Sequence, residues 1–411
     1  MPVSHCYRDI DGRTWLRPTR KELMPNLFTP FSLKGVTLRN RIAMSPMTMH
    51  RSVDGKMNDF HVMYLGARAA GGFGLVFPEQ IAIAPDGRTS VKCAGIYNDD
   101  QIDGLQRVTA MIKDMGAVPA IQLGHTGRKG STEAEWSGAA MLPPGHPDGW
   151  QTVGPSAIAY GGRMPYAPRE LSRAEIAEIH TQYAAAAQRA VDAGFEWLEL
   201  HFAHGYLGAS FLSPLANQRS DDYGGSPENR ARFHLEAIDA VRDVWPDRFP
   251  LTARVGCDDL HAGGLQLEES IAAIGWMKDH GLDLVDLSLG LNTPEINQVP
   301  FPDMGFMVDR AARVRAEVGI PVATSWNLGK PSVADEMIRQ ERIDLVYLGR
   351  PALSNPHWPV WAAIELRQPD PIELLPPDWQ GWLRPYRGHQ GAAGWPLPGS
   401  AGDDTVGSSA T

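Results

Sequence analysis

The sequence predicts an α/β protein folded as one closed (β/α)8 barrel of the TIM type, and three observations point to it. Short apolar, β-branched-rich runs alternate with longer amphipathic segments between residues 41 and 365, the pattern of parallel strands joined by crossover helices. Eight such units can be marked without a domain-sized break, which favours closure. The 411 residues leave room for a barrel of roughly 250 residues with long insertions. A doubly wound open sheet is the alternative, because periodicity does not report closure.

Taken in order, residues 1–26 read as an N-terminal extension that wraps the surface, and residues 27–367 as the barrel. The strands are expected at 41–44, 75–79, 118–122, 197–201, 251–255, 284–288, 321–324 and 345–348. A helix over 173–193 opens on the cap residue Ser172 and closes before Gly194, and another covers 264–281. Segment 124–173 interrupts the rhythm with Gly, Pro and polar residues. A loop of that length in a compact domain is usually a lid or a binding loop, and because it follows the third strand it should overhang the barrel mouth. Residues 368–387 form a C-terminal segment, and 388–411, rich in Gly, Ser and Ala, are expected to be disordered.

Composition narrows the function. A chain with 43% hydrophobic and 21% charged residues has the balance of a globular protein, and no window approaches the ~20 apolar residues of a membrane span. The opening residues contain no apolar signal core, so the expected location is cytoplasmic. A net charge of −10 disfavours a nucleic-acid surface but leaves room for a local basic pocket around one phosphate. Cys6, Cys93 and Cys257 are far apart and form no C-x-x-C pair, which argues against a disulfide framework, a zinc site or an iron–sulfur cluster. Redox chemistry here would need another agent.

In a barrel the residues ending each strand face the active-site mouth, and here they form a consistent set. Strand one ends in Ser45-Pro46-Met47-Thr48, strand three in Gln122 and strand four in His201, followed by His204 and Tyr206. Strand five is centred on Arg254, strand seven runs into Trp326 and strand eight ends in Gly349-Arg350. Gly349 and Arg350 suit a phosphate, offering close backbone approach and a guanidinium, although a turn with a surface arginine would look the same. Gly329 and Lys330 could add an amide and a charge, or simply start a helix. Two imidazole N–H groups from His201 and His204 can donate to one carbonyl oxygen and stabilise an enolate. Tyr206, protonated at neutral pH, can act as a general acid. A metal pair and packed rings are the competing readings of the histidines, but no third ligand is evident on a neighbouring strand end. Gln122 and Arg254 would need partners at the mouth. An isoalloxazine ring supplies them: its pyrimidine edge suits a glutamine amide, and its reduced N1 suits an arginine, while Thr48 could bond near O4 and N5. No G-x-G-x-x-G follows a strand, so NAD(P)H would have to visit the flavin face transiently, in ping-pong fashion.

Whole phrases resemble one family. LFTPFSLKGVTLRNRIAMSPMTM, IQLGHTGRKG, HFAHGYLGASFLSPLANQRSDDYGGSPENRARF and LVYLGRPAL are similar to the Old Yellow Enzyme family of FMN-dependent NAD(P)H ene reductases, in its compact bacterial branch. The resemblance implies that Ser45, Pro46, Met47 and Thr48 line the FMN ring, that Gln80, Gln122 and Arg254 touch it, and that Gly349 and Arg350 hold its phosphate. It implies His201 and His204 as the pair that binds the substrate carbonyl, and Tyr206 as the proton donor. Thr48 stands where the branch usually has cysteine, and His50 where it often has a tyrosine that shapes the substrate pocket. Trp326 resembles a tryptophan that overhangs the flavin. Tyr386-Arg387 resembles a C-terminal segment that reaches a neighbouring subunit, implying a homodimer or higher oligomer. The expected activity is hydride transfer from NAD(P)H to the C=C bond of α,β-unsaturated carbonyl compounds. A flavin reductase acting on oxygen, quinones or nitro compounds, and a non-catalytic FMN- or phosphate-binding barrel, are the alternatives.

Overall fold

In the computed structural model, the described residues are 25–296 and 303–385, together with two short antiparallel strands, Cys6–Arg8 and Thr14–Leu16. Eight parallel strands form the barrel: β1 (Ile42–Met44), β2 (Leu75–Val76), β3 (Val118–Gly124), β4 (Trp197–Phe202), β5 (Leu251–Gly256), β6 (Leu284–Ser288), β7 (Val322–Thr324) and β8 (Leu345–Leu348). Each pairs with its sequence neighbour, β8 pairs with β1, and the ring is closed without an edge. The open-sheet alternative is thereby excluded. The expected 75–79 strand is shorter because the chain breaks at Phe77-Pro78-Glu79 and resumes as Gln80–Ala82 beside β3. Pro78 has no N–H to give a ladder, and its carbonyl instead accepts from Met47 N at 3.2 Å.

Helices cover the outside: α1 (Asp59–Ala70), α2 (Ile102–Asp114), α3 (Arg173–Asp192), the short α4 (Leu207–Leu212), α5 (Pro227–Arg242), α6 (Leu267–Asp279), α7 (Val308–Val318), α8 (Pro331–Arg339), the short α9 (Arg350–Ser354) and α10 (Trp358–Glu365). The start of α3 follows from its sequence. Ser172 Oγ accepts from Glu175 N, and the Glu175 carboxylate accepts from Ser172 N at 2.8 Å, a complete capping box.

Strand periodicity sorts the core into two. Leu198, Leu200 and Phe202 of β4 point outward and pack with helix residues such as Tyr183 and Phe233. Trp197, two residues before Glu199 and four before His201, points inward with Ala43, Leu75, Ala120, Leu284 and Leu345. Phe31, Val36 and Leu38, from a hairpin of Phe31–Leu33 with Val36–Leu38, belong to this inner cluster and close the base of the barrel. An apolar floor therefore lies below, and the residues above it on the same strand faces are polar.

Segment 124–173 is ordered by its own bonds and by bonds to the mouth. Arg128 Nη2 donates to Asn292 O at 2.6 Å, Tyr160 Oη to Thr293 O at 3.2 Å, and Lys129 Nζ to His204 O at 2.8 Å. It overhangs the barrel as expected. Tyr386, Arg387 and segment 388–411 lie outside the described residues. No described helix is long and apolar enough to cross a membrane.

Candidate active site

The end of β4 builds the first part of the site. Beyond Phe202 the chain turns through His204 at φ 62° and Gly205 at φ 71°. A Cβ at Gly205 would meet Leu291 O at 2.3 Å, so glycine is required there. The turn delivers Tyr206 to the start of α4 and gathers three rings: His201 lies 5.0 Å from His204 and 5.1 Å from Tyr206, centroid to centroid. Ala203 N donates to His201 Nδ1 at 3.3 Å, which leaves the ring proton on Nε2. His204 Nε2 shares a 2.8 Å bond with Ser288 Oγ, which also accepts from Trp326 Nε1 at 3.0 Å.

Both imidazoles are held neutral. Burial is the main cause, and the cations Arg254 and Lys129 add to it, pushing His204 down to about 3 and His201 well below its ordinary value. Burial also pushes the Tyr206 phenol up, so it stays protonated. Lys129 Nζ sits 4.4 Å from the Tyr160 ring centroid and 5.8 Å from that of Tyr206. Burial and the neighbouring Arg128 pull Lys129 down to about 7.

A second group lies deeper, directly above the apolar floor. Gln122, Glu199, Arg254 and Asp286 come from β3, β4, β5 and β6, and each is at most 4% exposed. Gln122 Nε2 donates to Glu199 Oε1 at 2.7 Å. Arg254 donates through Nε to Asp286 Oδ2 and through Nη2 to Ser45 Oγ at 3.0 Å. Tyr347 of β8 lies under the guanidinium, 5.5 Å from it.

These groups open onto a cleft of about 1210 Å³ lined by Ser45, Pro46, Met47, His204, Arg254, Trp326, Gly349 and Arg350, with Gly329 and Lys330 at the β7 end. The structure thus brings together ten of the residues singled out by sequence. His201 and Tyr206 join through their contact with His204, and Gln122 through Glu199. Gln80 is a register partner of Gln122 and its Oε1 is buried without a partner among the described residues. Thr48 is half-buried beside Met47. His50, at φ 51°, is turned to Ser90 Oγ at 2.8 Å, with its ring edge-on to Trp136. Sequence reasoning missed Glu199, Asp286, Tyr347, Ser288 and Lys129. Glu199 and Tyr347 stand two residues before His201 and Gly349, and Asp286 and Ser288 alternate with the apolar residues of 284–288, a spacing that could have found all four. Lys129 could not be placed, because the path of its loop is not periodic.

The comparisons agree with the barrel fold. Residues 26–368 match the model of the family described as NADH:flavin oxidoreductase / NADH oxidase. The chain belongs to that family. It is 41% identical over 343 residues to an NADPH dehydrogenase of Bacillus licheniformis and 40% identical over 342 residues to one of Geobacillus thermodenitrificans, in both cases covering 83% of this chain and 94% of the relative. Morphinone reductase in complex with tetrahydroNAD is similar in structure, with a TM-score of 0.68 and 30% identity over 85% of this chain and 94% of that one. A 2-naphthoyl-CoA reductase matches with a TM-score of 0.75 and 27% identity, covering 86% of this chain and 54% of that one. Members of this family, of the Old Yellow Enzyme type, carry FMN and take hydride from NAD(P)H, and so this chain is an FMN-dependent, NADPH-dependent oxidoreductase. The residues present suit the cofactor: the buried Gln80 Oε1 lacks a donor that flavin N3–H could supply, and Arg254 and Arg350 both line the cleft as cations.

Proposed function

We propose that this family member is an ene reductase, reducing the C=C bond of α,β-unsaturated carbonyl compounds at the expense of NAD(P)H. The observation that carries the reading is the trio of His201, His204 and Tyr206: two neutral imidazoles 5.0 Å apart with a protonated phenol 5.1 Å from one of them. Bound FMN supplies a ring that accepts hydride from the nicotinamide and passes it on. Ser45, Pro46, Met47, Thr48, Gln80, Gln122 and Arg254 would hold that ring, with Gly349 and Arg350 at its phosphate.

The protein's own contribution is polarisation and proton supply. His201 Nε2–H donates to the substrate carbonyl oxygen. Ser288 Oγ accepts from Trp326 and so has its hydrogen available for His204 Nε2, the tautomer in which His204 Nδ1–H becomes the second donor. Two such donors stabilise the charge that grows on the oxygen as the β-carbon receives hydride. Tyr206 Oη then gives its proton to the α-carbon. Trp326 borders the space left for the substrate.

Anaerobic stopped-flow tests this. NADPH should bleach the flavin band, and 2-cyclohexenone should restore it. In Tyr206→Phe the first phase should persist while the second slows. Equal slowing of both phases, or recovery with oxygen or quinones alone, would favour a flavin reductase with another acceptor.

A further inference from the structure

The polar layer inside the barrel does not balance its charge. Arg254 contributes one cation, while Glu199 and Asp286, both 0% exposed, contribute two carboxyl groups. Geometry shows how they divide the work. Asp286 Oδ2 touches Arg254 Nε directly. Glu199 Oε1 is 3.7 Å from that nitrogen and instead accepts from Gln122 Nε2 at 2.7 Å. Glu199 Oε2 is buried outside good hydrogen-bond geometry, with the Tyr347 hydroxyl as the donor that faces it. An ionised carboxylate held by so few donors in such a place is more costly than the neutral acid.

The groups facing Glu199 are Gln122 from β3, Arg254 from β5, Asp286 from β6 and Tyr347 from β8. Burial pushes Glu199 up to about 8; Arg254 opposes the rise and Asp286 adds to it. Burial raises Asp286 as well, but its direct ion pair pulls the other way. The acid with the longer, non-hydrogen-bonded approach to Arg254 is therefore the one that keeps the proton.

We infer that Glu199 is a positioning residue that carries a proton at neutral pH, leaving Asp286 as the sole counter-charge and reserving the rest of the Arg254 field for the reduced flavin ring. This rests on the reading that Arg254 faces the ring; it does not depend on the enone chemistry. Loss of the Glu199 proton places a second negative charge beneath a ring that becomes more negative on reduction. Reduction should then become harder as pH rises through the Glu199 range.

Infrared difference spectroscopy and spectroelectrochemical titration of the FMN-loaded protein test both halves, using wild type and Glu199→Gln at about pH 6.5 and about pH 9.5, on either side of the Glu199 value. At the lower pH the wild type should show a protonated-carboxyl stretch that is missing in Glu199→Gln and disappears at the higher pH. The two proteins should agree within about twofold in the flavin reduction equilibrium at the lower pH. At the higher pH the wild type should fall behind by about tenfold, ~30 mV for a two-electron couple. Absence of a Glu199 band in the wild type overturns the inference outright, even if the variant does not fold. So does an equal offset at both pH values. A Glu199 band with no pH-dependent offset also overturns the coupling, and it locates the fault in the placement of Arg254 at the ring.

Discussion

The buried layer of Gln122, Glu199, Arg254 and Asp286 and the rim of His201, His204, Tyr206 and Lys129 are only a residue or two apart on β4, yet they treat polar groups in opposite ways. In the layer, Arg254 spends its donors on Asp286 and Ser45, and Gln122 spends its amide on Glu199. At the rim, the two imidazoles are positioned by a backbone and a hydroxyl partner on one edge, and His204 lines the cleft. The difference teaches how a barrel separates holding from reacting: strand ladders fix the layer, whereas a left-handed turn presents the rim. Substitutions should follow the same division.

The largest expected effect is at Tyr206. Tyr206→Phe should slow the enone-dependent half-reaction by roughly 10²–10⁴-fold, the range of a lost general acid, while its denaturation midpoint stays close to wild type. The mirror case is Asp286→Ala, which strands a buried guanidinium and should cost roughly 3–5 kcal/mol in urea unfolding. If Tyr206→Phe were the more unstable of the two, the division would be wrong.

Acid should next reveal the neutral imidazoles. His201 titrates well below its ordinary value in the folded protein, so between that ordinary value and the folded one the unfolded chain binds the extra proton. The stability it contributes is complete above about pH 6.5 and is lost as pH falls from there toward the folded-state value, by up to about 1.4 kcal/mol per unit. Thermal unfolding of wild type and His201→Asn across this window should converge as pH falls. Parallel curves would mean that His201 is protonated in the folded state.

Smaller effects should come from the loop. Lys129→Met removes the bond to His204 O and should weaken cyclohexenone binding a few-fold, about 0.5–1.5 kcal/mol for one hydrogen bond, as read from the flavin perturbation. Since burial brings Lys129 down to about 7, wild-type binding should also weaken as pH rises through that value and that of the variant should not. Trp136, 61% exposed and packed edge-on against His50, should tolerate Ala within about 0.5 kcal/mol of stability. A larger loss would make the loop part of the folded core.

Legibility followed periodicity. Strands 284–288 and 345–348 match β6 and β8 residue for residue, because a buried parallel strand is a continuous apolar run with sharp polar ends. The Ser172 cap was equally readable, since its capping box is local. The break at Pro78 was overlooked although the residue itself announces it. Asp286 was read as part of a strand and passed over as chemistry. A carboxylate within an apolar run signals a buried charge, but its partner Arg254 is 32 residues away.

By itself the sequence determined the eight βα units, the mouth-facing order of Ser45, Gln122, His201, Arg254 and Arg350, and, through whole phrases, the family. These are properties of local pattern, where side-chain direction follows from strand period. Only the tertiary structure decided that the ring closes, that Lys129 reaches the His204 turn, and that two carboxyl groups share one arginine inside the barrel. Each of those depends on distances between segments far apart in the chain, set by the stagger of strands around the barrel and the path of a loop, neither of which has a period to read.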